Sequence, residues 1–165
     1  RAAFGYAMAP SIATRCLMSA PLSLESTALH ILRSMPEAVI FCDLEGIVRV
    51  WNHGAEKVFG WTAEEAIGQS LDMIIPERMR KAHWDGFNQA IARGGVKPGR
   101  TSMITRSLHK TEESIYIDMS FEMVRNEAGE MLGSLAVVRD ATKRFTEEKA
   151  LRKQLAELTA PKPAG

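Results

Sequence analysis

From Ser114 to Val124 the chain reads SIYIDMSFEMV, with an apolar side chain at every second position. Ile115, Ile117, Met119, Phe121 and Met123 fall on one side of an extended chain, and Tyr116, Asp118, Ser120 and Glu122 fall on the other. This period of two predicts an antiparallel strand with one face on a core and one toward water. Such a strand needs neighbours to pair with and a layer to cover its apolar face.

The neighbours are legible on both sides. AVIFCD (38–43) and IVRVW (47–51) are short strands joined by Leu44, Glu45 and Gly46. Residues 101–109 and GSLAVVRD (133–140) supply two more, and NEAG (126–129) turns the chain into the last one. The covering layer lies between the two groups. Asn52 caps a helical turn that Gly60 ends, and Thr62 to Glu65 (TAEE) fits a capping box for another, ended by Gly68. QSLDMII, a longer helix from Pro76 and the loop GGVKPG follow. Ahead of the strands, Ser26 caps a short helix carrying Leu29, Ile31, Leu32 and Met35, which stops before Pro36. Strands at both ends with helices gathered between them predict an α+β fold: one five-stranded antiparallel sheet, with short helices and one longer helix over one face.

At 165 residues the chain holds one domain plus tails. A net charge of +1 provides no bulk field for nucleic acid or an acidic membrane, so neither is an expected partner. The longest apolar runs, AVIFC and MII, are far too short to span a bilayer. Cys16 and Cys42 lie in dissimilar regions, which argues against a disulfide framework and makes a cytoplasmic location the default. No GxGxxG, GxxxxGK[ST] or GxSxG occurs, so an enzyme is not expected. Residues 1–21 lack periodicity and do not begin with methionine; they read as a disordered or non-native segment, with Met18 a natural start. Gly5 and Pro10 break their apolar stretch, which disfavours a signal peptide. The expected organisation is a flanking helix at 22–36, a core domain at 37–142, an amphipathic helix at 143–160 and a tail at 161–165.

The longer helix carries the chemistry. In PERMRKAHWDGFNQAI (76–91), Met79, Phe87 and Ile91 recur at helical spacing and define a core-facing stripe. His83 lies on that stripe, one turn from Met79 and one from Phe87, with Trp84, Gly86 and Ala90 bordering it. An inward imidazole is either a hydrogen-bonded core residue or a ligand. His53 and His109 read as solvent-facing, and no His, Cys, Asp or Glu cluster has metal-ligand spacing.

From about Ile31 to Thr142 the chain resembles a PAS domain. MPEAVIFCDLEGIVRVWNHGAEKVFGWTAEEAIGQSLDMIIPE, the paired strands and VVRDATKR stand in the family's order, and Asp140-Ala141-Thr142 resembles the Asp-x-Thr that leads into a signalling helix. Lys110-Thr111-Glu112-Glu113 departs from the family's Lys-Asp-Gly, which predicts a turn of different geometry, because Thr-Glu does not favour positive φ. Pro76, Glu77, Arg80 and His83 match the Pro-Glu-x-x-Arg-x-x-His of FixL-like haem-binding PAS domains. That resemblance implies b-type haem held by His83, with Met79, Phe87 and Ile104 around it. It places Met103 where FixL-like domains carry an arginine, although Arg100 and Arg106 lie nearby. A thioether there is a possible sixth ligand, which would favour carbon monoxide or redox sensing over oxygen. The cysteine motif of blue-light flavin PAS domains is absent, and Cys42 reads as a small buried hydrophobe, so flavin is not expected.

A haem-free PAS module for dimerisation or small-ligand binding shares every fold feature and stays open. Leu151, Leu155 and Leu158 recur at four- and three-residue spacing amid charges, as in a short coiled-coil seam. A homodimer through the flanking helices and an output domain beyond this chain are the partners implied. The resemblance thus points to a sensory domain of a bacterial signal-transduction protein. The charged terminal helix could alternatively fold back on its own sheet.

Overall fold

The computed structural model describes residues 23–95 and 102–159; the 1–21 segment, Arg100 and the 161–165 tail lie outside them. Contacts divide the chain into two compact units after Ile31. The first contributes the opening turns of helix α1 (Leu24–Ser34), where Ser23 accepts from the Ser26 and Thr27 groups that start the helix.

The second unit carries β1 (Ala38–Asp43), β2 (Val48–Trp51), the short helices α2 (His53–Phe59) and α3 (Ala63–Ala66), and a 3-10 turn, Leu71–Ile74. The long helix α4 (Glu77–Arg93) follows, then β3 (Met103–Leu108), β4 (Ser114–Arg125), β5 (Met131–Asp140) and the terminal helix α5 (Thr142–Thr159). The five strands form one sheet in the order β2-β1-β5-β4-β3, antiparallel throughout. Within the described residues this is the expected α+β arrangement. No helix there is long and apolar enough to cross a membrane.

Local chemistry explains the element ends. Asp43 Oδ1 accepts from the N–H groups of Glu45 and Ile47 and closes the β1–β2 turn. Asn52 caps α2, which ends at Gly60 with φ +78°. Thr62 and Glu65 complete the capping box of α3. Pro76 occupies the N-cap of α4, and Gly94 ends it at φ +73°.

The turn before β4 corrects one expectation. Glu112 takes φ +64°, the left-handed conformation that a Thr-Glu pair does not favour. Its neighbours impose it: His109 N–H donates to Glu113, Glu112 N–H to His109, and Lys110 N–H to Phe59. These bonds outweigh a local penalty of about 1–2 kcal/mol. His109 is accordingly half-buried, with its ring seated on Gly60 and Nδ1 accepting from Thr111 N–H at 3.2 Å.

One face of the sheet packs on α2, α3 and the 3-10 turn. Phe59, Val48, Val138 and Cys42 are the largest side chains with essentially no exposure. Asn52 sits buried at the edge of this core, and every polar atom of its side chain is used. Oδ1 accepts from Val39 N–H (2.8 Å) and Ala55 N–H (3.0 Å). Nδ2 donates to Leu32 O (3.1 Å) and Glu37 O (3.0 Å), with Met35 O at 3.4 Å. One amide thus joins the last turn of α1, strand β1 and the start of α2. Removing it would leave several buried peptide groups unpaired, at about 1–3 kcal/mol each. Asn52→Ala is expected to destabilise the domain by about 3 kcal/mol or more, read from urea denaturation of purified protein.

Candidate functional site

A cavity of about 470 Å³ lies between α4 and the inner face of the sheet, within the size range of small-molecule and cofactor sites. His83, Met79, Phe87 and Ala90 line it from α4. Met103, Thr105 and Ser107 line it from β3, and Ile117, Met119 and Phe121 from β4. Ile40 and Cys42 close it from β1.

The first turns of α4 are tied down, which fixes where His83 points. Arg80 donates to the carbonyls of Ile75 and Asp72, both at 3.2 Å, and so locks the helix to the turn before it. Ser107 Oγ donates to Ile74 O at 2.5 Å and ties the same turn to β3. The arginine of the Pro-Glu-x-x-Arg-x-x-His match therefore has a structural use: it sets the helix rather than lining the cavity.

His83 is half-buried, and its Nε2 is buried with no hydrogen-bond partner among the described residues. Such an orphaned group is destabilising by about 1–3 kcal/mol. Burial disfavours the imidazolium and pushes its pKa below the ordinary 6.5, against the opposing pull of the Asp72 carboxylate. A neutral imidazole with an uncommitted nitrogen is the form that binds a metal. Cys42 is buried, and burial together with Asp43 pushes its thiol up to about 12, so it is neither a ready nucleophile nor a thiolate ligand.

The structure brings His83, Met79, Phe87 and Met103 to one cavity. Ile104 is corrected: it is 41% exposed and turned away. Successive side chains on a strand point to opposite faces, so Met103 and Ile104 cannot both face inward. Arg106 borders the cavity but sends its guanidinium to Tyr116 Oη, donating at 2.8 Å. Met119 is the site residue that the sequence reading left unassigned. It pairs in register with Met103 and shares the inward alternation of Ile117, a signal already present in the sequence. The two thioethers thus sit side by side on adjacent strands.

The outer face bears on α5. Tyr116 stacks on Phe145 with ring centroids 4.0 Å apart, and Arg144 pairs with Asp118 at 2.8 Å. Ala141 N–H donates to Tyr116 O (2.8 Å), Tyr116 N–H to Thr142 Oγ1 (3.0 Å) and Thr142 N–H to Asp140 Oδ1 (2.7 Å). Beyond this first turn α5 is exposed, with Leu151, Leu155 and Leu158 at 64%, 62% and 84%.

A family model described as the PAS fold matches residues 29–141. Sensor protein FixL of Bradyrhizobium diazoefficiens is 42% identical over 59 residues, which cover 36% of this chain and 12% of FixL. Oxygen sensor protein DosP of Escherichia coli is 31% identical over 106 residues, 64% of this chain and 13% of DosP. The chain therefore spans only a small part of these relatives. Among solved structures, a PAS domain from Colwellia psychrerythraea shares the fold at TM-score 0.64 and 24% identity, covering 73% of this chain and 99% of that one. An RNA-binding light-oxygen-voltage receptor aligns at TM-score 0.65 and 19% identity, covering 93% of this chain and 41% of the receptor.

The depressed pKa of His83 has a measurable consequence. The unfolded chain takes up a proton near 6.5 that the folded chain resists, so the unfolded state binds more protons there and stability rises with pH. The cofactor-free domain is expected to lose stability as pH falls through about 6.5, and His83→Leu to flatten that part of the profile, as followed by urea midpoints at stepped pH.

Proposed function

This chain belongs to the PAS family, and from that membership we propose that it is a sensory domain holding b-type haem through Nε2 of His83. The observation that carries the reading is the buried, uncommitted Nε2 of His83, a residue that lines a mainly apolar cavity of about 470 Å³. Support also comes from the Pro76, Glu77, Arg80 and His83 match to FixL-like domains, and from relatives named as a sensor and an oxygen sensor.

Bound there, haem would supply reversible binding of a diatomic gas and one-electron redox chemistry. The chain's own residues do the rest. His83 stays neutral and offers a lone pair, because burial suppresses its protonation. Ile117, Phe87, Phe121 and Met79 present hydrocarbon and thioether to the cavity and exclude water. Met103, beside Met119 on the sheet wall, is the possible sixth ligand, a soft donor that a gas would have to displace. Where FixL-like domains carry an arginine this chain presents a thioether, which favours carbon monoxide or redox state over oxygen as the signal.

Output runs through the sheet to α5. Strand β3 carries Met103 and Thr105 at the cavity, and the Arg106 guanidinium between them and Ser107 donates to Tyr116, whose ring stacks on Phe145. A small shift of β3 or β4 at the cavity would therefore change how the first turn of α5 sits. The exposed leucines beyond it fit a parallel pairing with a second copy, leading to an output domain outside this chain. A cytoplasmic location goes with this reading, and the domain senses rather than catalyses.

Titration of the purified chain with haemin is expected to give a sharp, stoichiometric Soret band that His83→Ala abolishes. A band that survives the substitution would sink His83 as the ligand, and no band in the parent chain would leave a haem-free PAS module with His83 as a core residue. The dimer is tested separately. Leu151→Glu with Leu155→Glu should convert a dimer to a monomer in light scattering and leave the Soret band unchanged.

A further inference from the structure

Trp84 directly follows His83 on α4, and adjacent residues on a helix do not ordinarily face each other. Here their rings meet edge to face, with centroids 4.9 Å apart and planes at 87°. Three contacts hold the indole in place. Its Nε1 donates to Asp72 Oδ1 at 2.8 Å. Its six-membered ring lies on Gly46, so close that a Cβ there would fall 2.2 Å from Cη2. Phe87 packs against its other side, edge to face at 5.5 Å. Asp72 is itself anchored: its N–H donates to Ser70 Oγ at 3.2 Å, and its carboxylate lies 3.9 Å from Arg80 Nε.

We propose that Trp84, held by Asp72, is the positioning residue that fixes the plane of the His83 imidazole toward the cavity. This rests on the haem reading only for its use, not for its geometry. A histidine that binds a metal is usually oriented by a hydrogen bond from its second nitrogen to a carboxylate, a carbonyl or water. Among the described residues no such bond forms at His83, and the histidine χ2 torsion is intrinsically soft. The perpendicular indole supplies by packing the restraint that a hydrogen bond supplies elsewhere. The Asp72 carboxylate, close enough to pull on the imidazole's charge, holds the neighbouring indole. Gly46 is needed at the β1–β2 turn for a second reason beyond its φ of +78°: any side chain there would displace Trp84.

The test is a double-substitution cycle on the intact chain. Trp84→Phe and Asp72→Ala are each expected to lower haemin affinity 10–100-fold, the usual range for groups that orient a metal ligand. Asp72→Asn keeps an oxygen acceptor for the indole and should retain parental affinity. In a His83→Gly background supplied with free imidazole the ligand is untethered and needs no clamp, so Trp84→Phe should leave imidazole-dependent haemin uptake unchanged; an equal loss there would show a merely structural role and overturn the proposal. A second readout needs no haem. Carbon-13 relaxation of the His83 ring in the cofactor-free chain should report a more mobile ring in Trp84→Phe and Asp72→Ala, and a parental ring in Asp72→Asn. An unchanged ring in Trp84→Phe would sink the clamp whether or not haem binds. A parent chain that takes up no haem, with the ring still loosened by Trp84→Phe, would sink the haem reading alone.

Discussion

Asn52 lies where three chain segments converge, and its carboxamide is the one group that can satisfy all of them. Strand β1 must present its Val39 N–H to something other than a neighbouring strand, because β2 has already left the sheet at Trp51. Helix α2 begins immediately after and needs an acceptor for Ala55. The carbonyls of Leu32 and Glu37 need a donor. A carboxylate could not donate and an ammonium could not accept; only an amide of this length does both. The close approach is enforced at Gly54, where a Cβ would fall 2.1 Å from the carbonyl oxygen of Glu37. With that corner fixed, α2 lies across β1, and Phe59 is delivered to the centre of the core.

The cavity follows from what the core leaves unfilled. α2 and α3 pack closely over β1 and β2 and the 3-10 turn is tied to β3 through Ser107, whereas α4 faces the sheet across the cavity. That helix is held by polar bonds at its start, from Arg80 and Ser107 to the carbonyls around the 3-10 turn. Its apolar stripe is therefore free to line a space instead of filling one. Protein interiors are otherwise close-packed, and a void of this size forfeits dispersion contacts along its walls. An orphaned imidazole on that wall compounds the penalty. Both would be relieved by the occupant proposed above, which has a flat apolar body and an electrophilic centre.

The sequence disclosed the fold well because its signals are local. Period-two alternation marked β4, a capping box marked α3, and the stripe from Met79 to Phe87 marked the inward side of α4. What stayed hidden was long-range. Asn52 was legible only as a helix cap, since its other partners lie 13 to 20 residues away. The left-handed Glu112 was illegible because tertiary bonds, not its own preference, set its backbone. Ile104 was placed in the cavity although alternation alone excludes it once Met103 faces inward, and the same alternation would have brought Met119 in. His83 was found from spacing. The indole beside it read only as a bordering residue, because Asp72 and Gly46 meet it through the fold and not along the chain.

The sheet is lined by the cavity on one face and bears α5 on the other, so the same strands serve both. Cavity and output share strands, not merely neighbours: Ile117 faces the cavity while Tyr116, the adjacent residue, carries Phe145 on its ring and the Ala141–Thr142 junction on its backbone. Because the peptide between them is planar and the strand is paired on both sides, their backbone positions move together. The stack is also tethered from β3, where Arg106 reaches Tyr116 Oη from beside the inward Thr105. Any ligand that displaces the β3–β4 wall must therefore work against an aromatic contact and a charge-assisted hydrogen bond at the root of α5. These outer contacts stand in partly exposed positions, where each is weak. The Asn52 junction stands at the β1–β2 end of the sheet, two strands away from them.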